Sequence, residues 1–242
     1  MAQRVFIDIG AHDGATARAV FAAPFAFDRV ISAEPDPAMV AHLSGQFADR
    51  IAAGTYAVAP VALAESRGRM TLYGDNRGGG ASLLAAKAQQ GEARGVEVET
   101  LGWDDFLSAW DLRGAELYVK INCEGGEIGI LRSIIAHDRG EIRSLVVDYD
   151  IIKTPWGGWK KWASMRALRR AGLAYELSEE VFVKRGRRPH IVNWLSALPE
   201  FQDPPAPRDP LNRMQVARVR WLELVSALGI RHDLFKMRRR RA

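Results

Sequence analysis

Along the first two-thirds of the chain, the spacing of apolar positions switches repeatedly between strand-like and helix-like. Arg4 to Ile9 is a short, nearly unbroken apolar run rich in β-branched and aromatic residues, as in a strand buried on both faces, and Ala15 to Ala22 then has helical spacing. Arg29 to Ala33 predicts a second strand and Pro37 to Phe47 a second helix. This βαβα order belongs to a parallel α/β sheet. Tyr56 to Leu63 predicts a third strand, with further extended pieces at Arg69 to Tyr73 and Val96 to Leu101 around the glycine-rich loop Gly78-Gly79-Gly80. A short helix around Asp104 to Trp110 precedes Glu116 to Ile121. A helix over residues 126–136 then leads to Ser144 to Tyr149, and these two extended runs supply the fourth and fifth strands of the sheet.

Trp159 to Ala171 has helical spacing with many basic residues, and Ala174 to Lys184 with His190 to Trp194 predicts a terminal antiparallel pair. Five of the eleven prolines fall between Pro199 and Pro210, a composition that holds neither helix nor interior strand. Beyond it, Met214, Ala217, Trp221, Leu224, Val225 and Leu228 form an apolar stripe at helical spacing. The organisation expected is an α/β domain over 1–198, a proline-rich linker over 199–212, and an amphipathic helix with a basic tail over 213–242.

At 242 residues the chain builds one sizeable core. No apolar run approaches the roughly 18 residues of a membrane span, and no leader pattern stands at the start. Cys123, the only cysteine, permits neither an internal disulfide nor a cysteine-based metal site, and a reducing cytoplasmic setting is expected. The net charge of +5 hides a division: residues 1–152 carry −7 and the remainder +12, ending in Arg238 to Arg241. A terminal arginine run is ordinarily a solvated tail, but such polarity also suits an anionic partner, whether phosphate, nucleic acid or a membrane surface.

The most informative stretch is Val5 to Gly14, a strand ending on Asp8 and turning through Gly10 and Gly14 into a helix. A dinucleotide fingerprint needs G-x-G-x-x-G, so that a pyrophosphate rests on backbone amides. Here His12 stands where the middle glycine would be, and Asp8 and Asp13 would repel a pyrophosphate. They suit a phosphate-free cofactor bearing a sulfonium and an amine, S-adenosylmethionine. Glu34, at the end of the second strand and 20 residues after Gly14, stands where an acid accepts hydrogen bonds from both ribose hydroxyls.

With DIGAHDG at 8–14, AEPDP at 33–37, Ala62-Leu63-Ala64, Gly68 to Tyr73, Ala81-Ser82-Leu83, VETLGWDDF at 98–106 and KINCEGGE at 120–127, the chain resembles the FkbM family of S-adenosylmethionine-dependent methyltransferases. The resemblance spans residues 5 to 150 in the family's order. It implies a Rossmann-like class I methyltransferase fold, a mostly parallel seven-stranded sheet with an antiparallel terminal strand and helices on both faces. It also implies methyl transfer to a hydroxyl of a sugar, glycolipid or secondary metabolite. The expected cofactor-binding residues are Asp8, Gly10, Ala11, His12, Asp13 and Gly14 in the first loop, then Glu34 and Pro35, and finally Ala62, Ser82 and Asn122. Two positions depart from the family: His12 replaces its usual asparagine, and KINCEG, with Asn122, replaces KIDVEG. If the lost acid is the base in relatives, this chain needs another or is inactive.

Deprotonating an alcohol requires a base at the carboxyl edge of the sheet, and the candidate catalytic residues are Lys120, Glu124 and Asp148, with Asp150 beside them. Lys120 is an orienting charge or a base with a burial-lowered pKa, or else the ion-pair partner of Glu127 or Asp148. Glu124 either caps the next helix or reaches the substrate. Asp148 and Asp150 could hold a hard cation, but no third ligand stands beside them and no metal site is expected. Trp159 and Trp162 share a helix face that suits a sugar acceptor or packs on the sheet. Ser82 sits in a loop able to close as a lid, or is a turn residue. The partners expected are a small-molecule or glycan acceptor, an anionic or peripheral membrane contact through the basic tail, and an oligomer. A nucleic-acid methyltransferase lacks its Asn-Pro-Pro-Tyr-like or Pro-Cys motif here. A non-catalytic cofactor-binding scaffold is the alternative that Asn122 favours.

Overall fold

A computed structural model describes residues 2–74, 81–83, 95–178, 190–201 and 213–229. Six parallel strands form the central sheet: β1 (Arg4–Ile9), β2 (Arg29–Ala33), β3 (Tyr56–Ala59), β7 (Glu116–Ile121), β8 (Ile142–Val147) and β9 (Tyr175–Leu177). Their order is β3-β2-β1-β7-β8-β9. Counted along this sheet alone, that is the doubly wound order 3-2-1-4-5-6, which reverses direction between β1 and β7 and opens a crevice at their carboxyl ends. A second sheet of β4 (Ala62–Leu63), β5 (Gly68–Leu72) and β6 (Val96–Leu101) stands in the order β4-β6-β5.

Both faces of the sheet are covered, which is why its central strands read as unbroken apolar runs. Val5, Ile7 and Ile9 of β1 join Leu117, Val119 and Ile121 of β7 on one face. There they pack beneath α4 (Trp103–Ala109), α5 (Glu127–His137) and α6 (Gly157–Arg170). Phe6 and Tyr118 point to the other face, against α1 (Ala15–Ala22), α2 (Pro37–Gln46) and α7 (His190–Ala197). The short α3 (Ala48–Ala52) follows α2. Asp36 starts α2 in the manner its sequence forecasts, with its side chain accepting from the Ala38 amide at 2.8 Å and Pro37 occupying the first turn.

Three expectations are corrected. The single strand at 56–63 is two, because Pro60 has no amide to donate and the Val61 amide turns back onto the Ala59 carbonyl at 2.8 Å. No antiparallel partner closes the main sheet among the described residues: β9 runs parallel to β8, since α6 returns the chain to the edge from which β8 started. His190 to Ala197 is a helix, whose Ile191, Trp194 and Leu195 fall at i, i+3 and i+4 and are buried against the sheet. The remainder of the expected terminal pair, and the loop at Gly78 to Gly80, lie outside the described residues.

Pro199 to Phe201 is a short 3-10 turn rather than free linker, with Phe201 against Phe25, Phe27 and Tyr118 and the Tyr118 hydroxyl donating to Glu200 at 2.7 Å. The last described helix, α8 (Arg213–Ala227), lies on α6. Of the expected apolar stripe Val225 is buried, together with Glu223, Ser226 and Ala227, while Trp221, Leu224 and Leu228 are exposed. The cause is close backbone approach. A Cβ on Gly158 would come within 2.2 Å of the Glu223 carbonyl oxygen, so only small residues fit between the helices. Lys161 and Glu223 form a buried ion pair across the seam, and the Ser226 hydroxyl accepts from the Gly158 amide at 3.0 Å.

Gly158→Ala should therefore destabilise the fold by about 1–3 kcal/mol through overpacking. Gly45→Ala in α2, where an added Cβ meets nothing within 4 Å, should stabilise it by about 0.4–1 kcal/mol. Urea midpoints of the two variants check this, and a Gly158→Ala midpoint equal to that of the wild type would contradict the close seam.

Candidate functional site

A cleft of about 230 Å³ opens at the carboxyl ends of β1, β2 and β7, where the strand order reverses. Ile9, Gly10 and His12 form one wall, and Ala33, Glu34 and Pro35 another. Asn122, Cys123, Glu124 and Gly126 follow from β7, and the small sheet contributes Ala62, Leu63 and Leu72, with Ala81 and Leu83 beside it. Of the expected cofactor residues, the structure thus brings together Gly10, His12, Glu34, Pro35, Ala62 and Asn122. The apolar wall of Leu63, Leu72 and Leu83 was not anticipated. Its signal was weak, because a two-residue strand and a loop carry no periodicity.

Glu34 stands at the back of this cleft. Its two carboxylate oxygens accept from the amides of His12 at 2.8 Å and Asp36 at 3.0 Å, which aims the group across the mouth of the β1–α1 loop. Burial raises its pKa and the two amide bonds oppose that shift.

Asp8, Ala11, Asp13 and Gly14 do not line the cleft. Asp8 is fully buried, and its register partner on β7 is Lys120, whose ammonium lies 2.8 Å from it and donates to the Gly10 carbonyl at 3.0 Å. The two carboxylates expected to grip one ligand are therefore split: Glu34 faces the cleft and Asp8 anchors the loop from beneath. This also decides Lys120. Its partner is Asp8 rather than Glu127 or Asp148, and it is not among the cleft-lining residues. Ala11 packs in the core. Asp13 caps the loop from outside, accepting from the Ala15 amide at 3.0 Å and pairing with Arg18, which lowers its pKa against the opposing effect of burial. Gly14, at φ +76°, lets the chain pass Leu43 and Phe47, its added Cβ falling 2.7 Å from the former.

The loop amides reveal what the cleft can accept. Gly10 and Ala11 donate to the Ala33 carbonyl, His12 to Glu34, Gly14 to Ala11 and Ala15 to Asp13. Five of the six amides from Gly10 to Ala15 are thus already engaged, whereas a diphosphate cradle needs them turned toward the ligand. Among the described residues no lysine or arginine lines the cleft, and two carboxylates, Glu34 and Glu124, do. This donor set would suit the adenosine of S-adenosylmethionine, with apolar walls for adenine and Glu34 for the ribose. It does not fit a dinucleotide.

Glu124 lines the cleft at φ +52° and does not cap α5, whose N-cap is Gly126. It belongs to a cluster with Asp150, on the 3-10 turn Asp150–Lys153, and with Lys153, which pairs with Asp150 and lies 3.8 Å from Glu124. Burial, helped by Glu124, pushes the Asp150 carboxyl up to about 6 against the pull of Lys153. Neither Asp148, which is half-buried, nor Asp150 lines the cleft itself, but Asp150 is linked through Lys153 to Glu124, which does, and is the stronger candidate base. Ser82 is tied down rather than free: its backbone bridges Tyr73 and its hydroxyl donates to the Glu124 carbonyl at 2.7 Å. Glu127 is a buried clamp, accepting from the amides of Gly125 at 2.7 Å and Ile151 at 3.3 Å, so one carboxylate sets the relative position of the Glu124 and Asp150 segments. Cys123 lines the cleft with its thiol pKa pushed up by burial. Trp159 and Trp162 are not among the cleft residues. Among the described residues no group of three or more metal-ligating side chains occurs, and no helix is long and apolar enough to cross a membrane.

No protein-family model matches the chain, and no curated protein does. Among solved structures, the crystal structure of methyltransferase FkbM from Methylobacillus flagellatus KT is similar over 55% of this chain, at 17% identity and a TM-score of 0.37. The match spans 29% of that protein, and a superposition this loose says nothing of activity or substrate.

Lys120→Met should cost about 3–5 kcal/mol, because Asp8 is left as an uncompensated buried charge, and adding Asp8→Asn should recover most of that loss. Chemical denaturation of both variants tests it. A single variant within about 1 kcal/mol of wild type would show that the pair does not anchor the loop.

Proposed function

We propose that the protein is an S-adenosylmethionine-dependent O-methyltransferase acting on a hydroxyl of a sugar, glycolipid or secondary metabolite. The observation that carries this reading is the cleft at the switch point. Most of its loop amides are spent internally, its described lining has no Lys or Arg, and the Glu34 carboxylate lines it at the end of β2, the place from which an acid can accept from ribose hydroxyls. The choice of a hydroxyl acceptor rests on the Glu124–Asp150 cluster, and the class of acceptor on the family resemblance of DIGAHDG, AEPDP and KINCEGGE.

S-adenosylmethionine supplies a methyl group on a sulfonium and leaves as the neutral thioether. The chain's own part is to hold the acceptor and remove its proton. Glu34 orients the adenosine end, and the hydrophobic wall of Leu63, Leu72 and Leu83 keeps water from it. At the other end, the Glu124–Asp150 pair accepts the acceptor's hydroxyl proton as its oxygen bonds to carbon, and the Lys153 ammonium keeps the pair anionic beforehand. Asn122, where the resemblance leads one to expect an acid, lines the same cleft. It favours one second reading, a scaffold that binds the cofactor without turnover.

Two outcomes are expected. Glu34→Ala should raise the calorimetric Kd for S-adenosylmethionine by roughly 10–100-fold, the value of hydrogen bonds to a charged group. An unchanged Kd would remove the ribose assignment. With labelled cofactor and a panel of sugars and glycolipids, methyl transfer should rise as pH climbs through about 6, because the Asp150 carboxyl must lose its proton to act as a base. Asp150→Asn should erase that limb and lower kcat by about 10²–10⁴. Cofactor binding with no transfer to any acceptor would decide for the scaffold.

A further inference from the structure

Nine large apolar side chains among the described residues are more than a third exposed, and six of them, Trp156, Trp159, Trp162, Trp221, Leu224 and Leu228, belong to one region where α6 and α8 meet. They are contiguous. The Trp159 indole donates to the Ala227 carbonyl at 2.9 Å and the Trp162 indole to Glu223 at 3.3 Å, so both rings lie along the last turns of α8 with their polar atoms satisfied inward. The two rings meet edge to face at 5.0 Å. The Trp156 ring lies against Gly229, where an added Cβ would come within 2.9 Å of it. Trp221, Leu224 and Leu228 follow at i, i+3 and i+7 on the outer side of α8. Contiguous exposed apolar patches mark interaction surfaces.

Charge identifies the partner. Residues 154–171 contain no acid, and over 213–229 the only acid is Glu223, which is buried against Lys161. Exposed Lys160, Arg166, Arg169, Arg170 and Arg220 therefore give these two helices a wholly cationic exterior around the apolar residues. A second copy packed face to face would set these cations against one another. Nucleic acid would satisfy the charge but would leave two leucines without a stacking role. Indoles and leucines ringed by basic residues match the boundary of an anionic bilayer, where indole rings sit at headgroup depth and each basic side chain adds attraction.

We infer that the α6–α8 face docks the protein on anionic lipid surfaces, with Leu224 and Leu228 entering the acyl boundary beside the indoles of Trp156, Trp159 and Trp162. This docking is independent of whether the cleft transfers methyl groups. Co-sedimentation of the full chain with vesicles of phosphatidylcholine alone and of phosphatidylcholine mixed with phosphatidylglycerol tests it. The wild type should bind the mixed vesicles and not the neutral ones. Leu224→Ser with Leu228→Ser should bind at least roughly tenfold more weakly with an unchanged melting temperature, because two leucines no longer leave water on docking. Lys160→Gln with Arg220→Gln should weaken binding in low salt. Absence of binding to mixed vesicles, or serine variants that bind like wild type, as when a basic terminus alone carries the attraction, would overturn the inference. So would a dimer that disperses on serine substitution, or preferential binding to RNA.

Discussion

The Lys120 ammonium, held between Asp8 and the Gly10 carbonyl, is the contact on which the rest of the site depends. It ties the turn after β1 to the end of β7, the two strands between which the sheet order reverses. An added Cβ on Gly10 would fall 1.9 Å from the Asn122 carbonyl oxygen, so this turn passes directly over the β7 end and tolerates nothing larger than glycine. With the turn fixed there, its amides close on Ala33 and Glu34 instead of pointing outward, and a crevice that could have cradled phosphate is lined by carboxylates. A buried ion pair adds little net stability compared with well-packed apolar residues, and its value here is geometric.

From this anchor the other parts of the cleft follow in sequence. Asn122, Cys123 and Glu124 leave β7 directly beneath the turn, and Glu124 takes a left-handed backbone conformation that sends the chain toward α5. Glu127 then binds the amides on either side, bringing the Asp150–Lys153 turn next to Glu124. A carboxyl pair, of which Asp150 has a raised pKa, is thereby built beside the cleft through Glu124. α6 leaves from the same turn, and α8 packs on it through the Gly158 seam, so the cationic aromatic face is built on the element that completes the cleft.

Much of this was legible beforehand, for physical reasons that also explain the failures. Doubly covered strands carry continuous apolar runs, so β1, β2 and β7 were evident, and the spacing from Gly14 to Glu34 marked the second acid. Asp8 was misread because a carboxylate at a strand end looks the same whether it faces a ligand or a neighbouring strand. Only the register opposite Lys120 separates the two. Strand alternation puts Lys120 on the face of β7 away from Val119, yet the partner on that face cannot be named without the pairing. The second strand of the expected terminal pair failed because Ile191, Val192, Trp194 and Leu195 suit a short buried strand and a helix alike. On α8 the apolar stripe did not tell which side is buried, since the inward side is chosen by the small residues that fit against Gly157 and Gly158.

The central claim is that the cleft between β1, β2 and β7 receives the adenosine of S-adenosylmethionine. A crystal structure of the chain grown with S-adenosylhomocysteine tests it most directly. The account predicts both ribose hydroxyls within hydrogen-bonding distance of the Glu34 carboxylate and the Asp8–Lys120 pair intact below. A nucleoside bound elsewhere, or Glu34 turned away from it, would contradict the account.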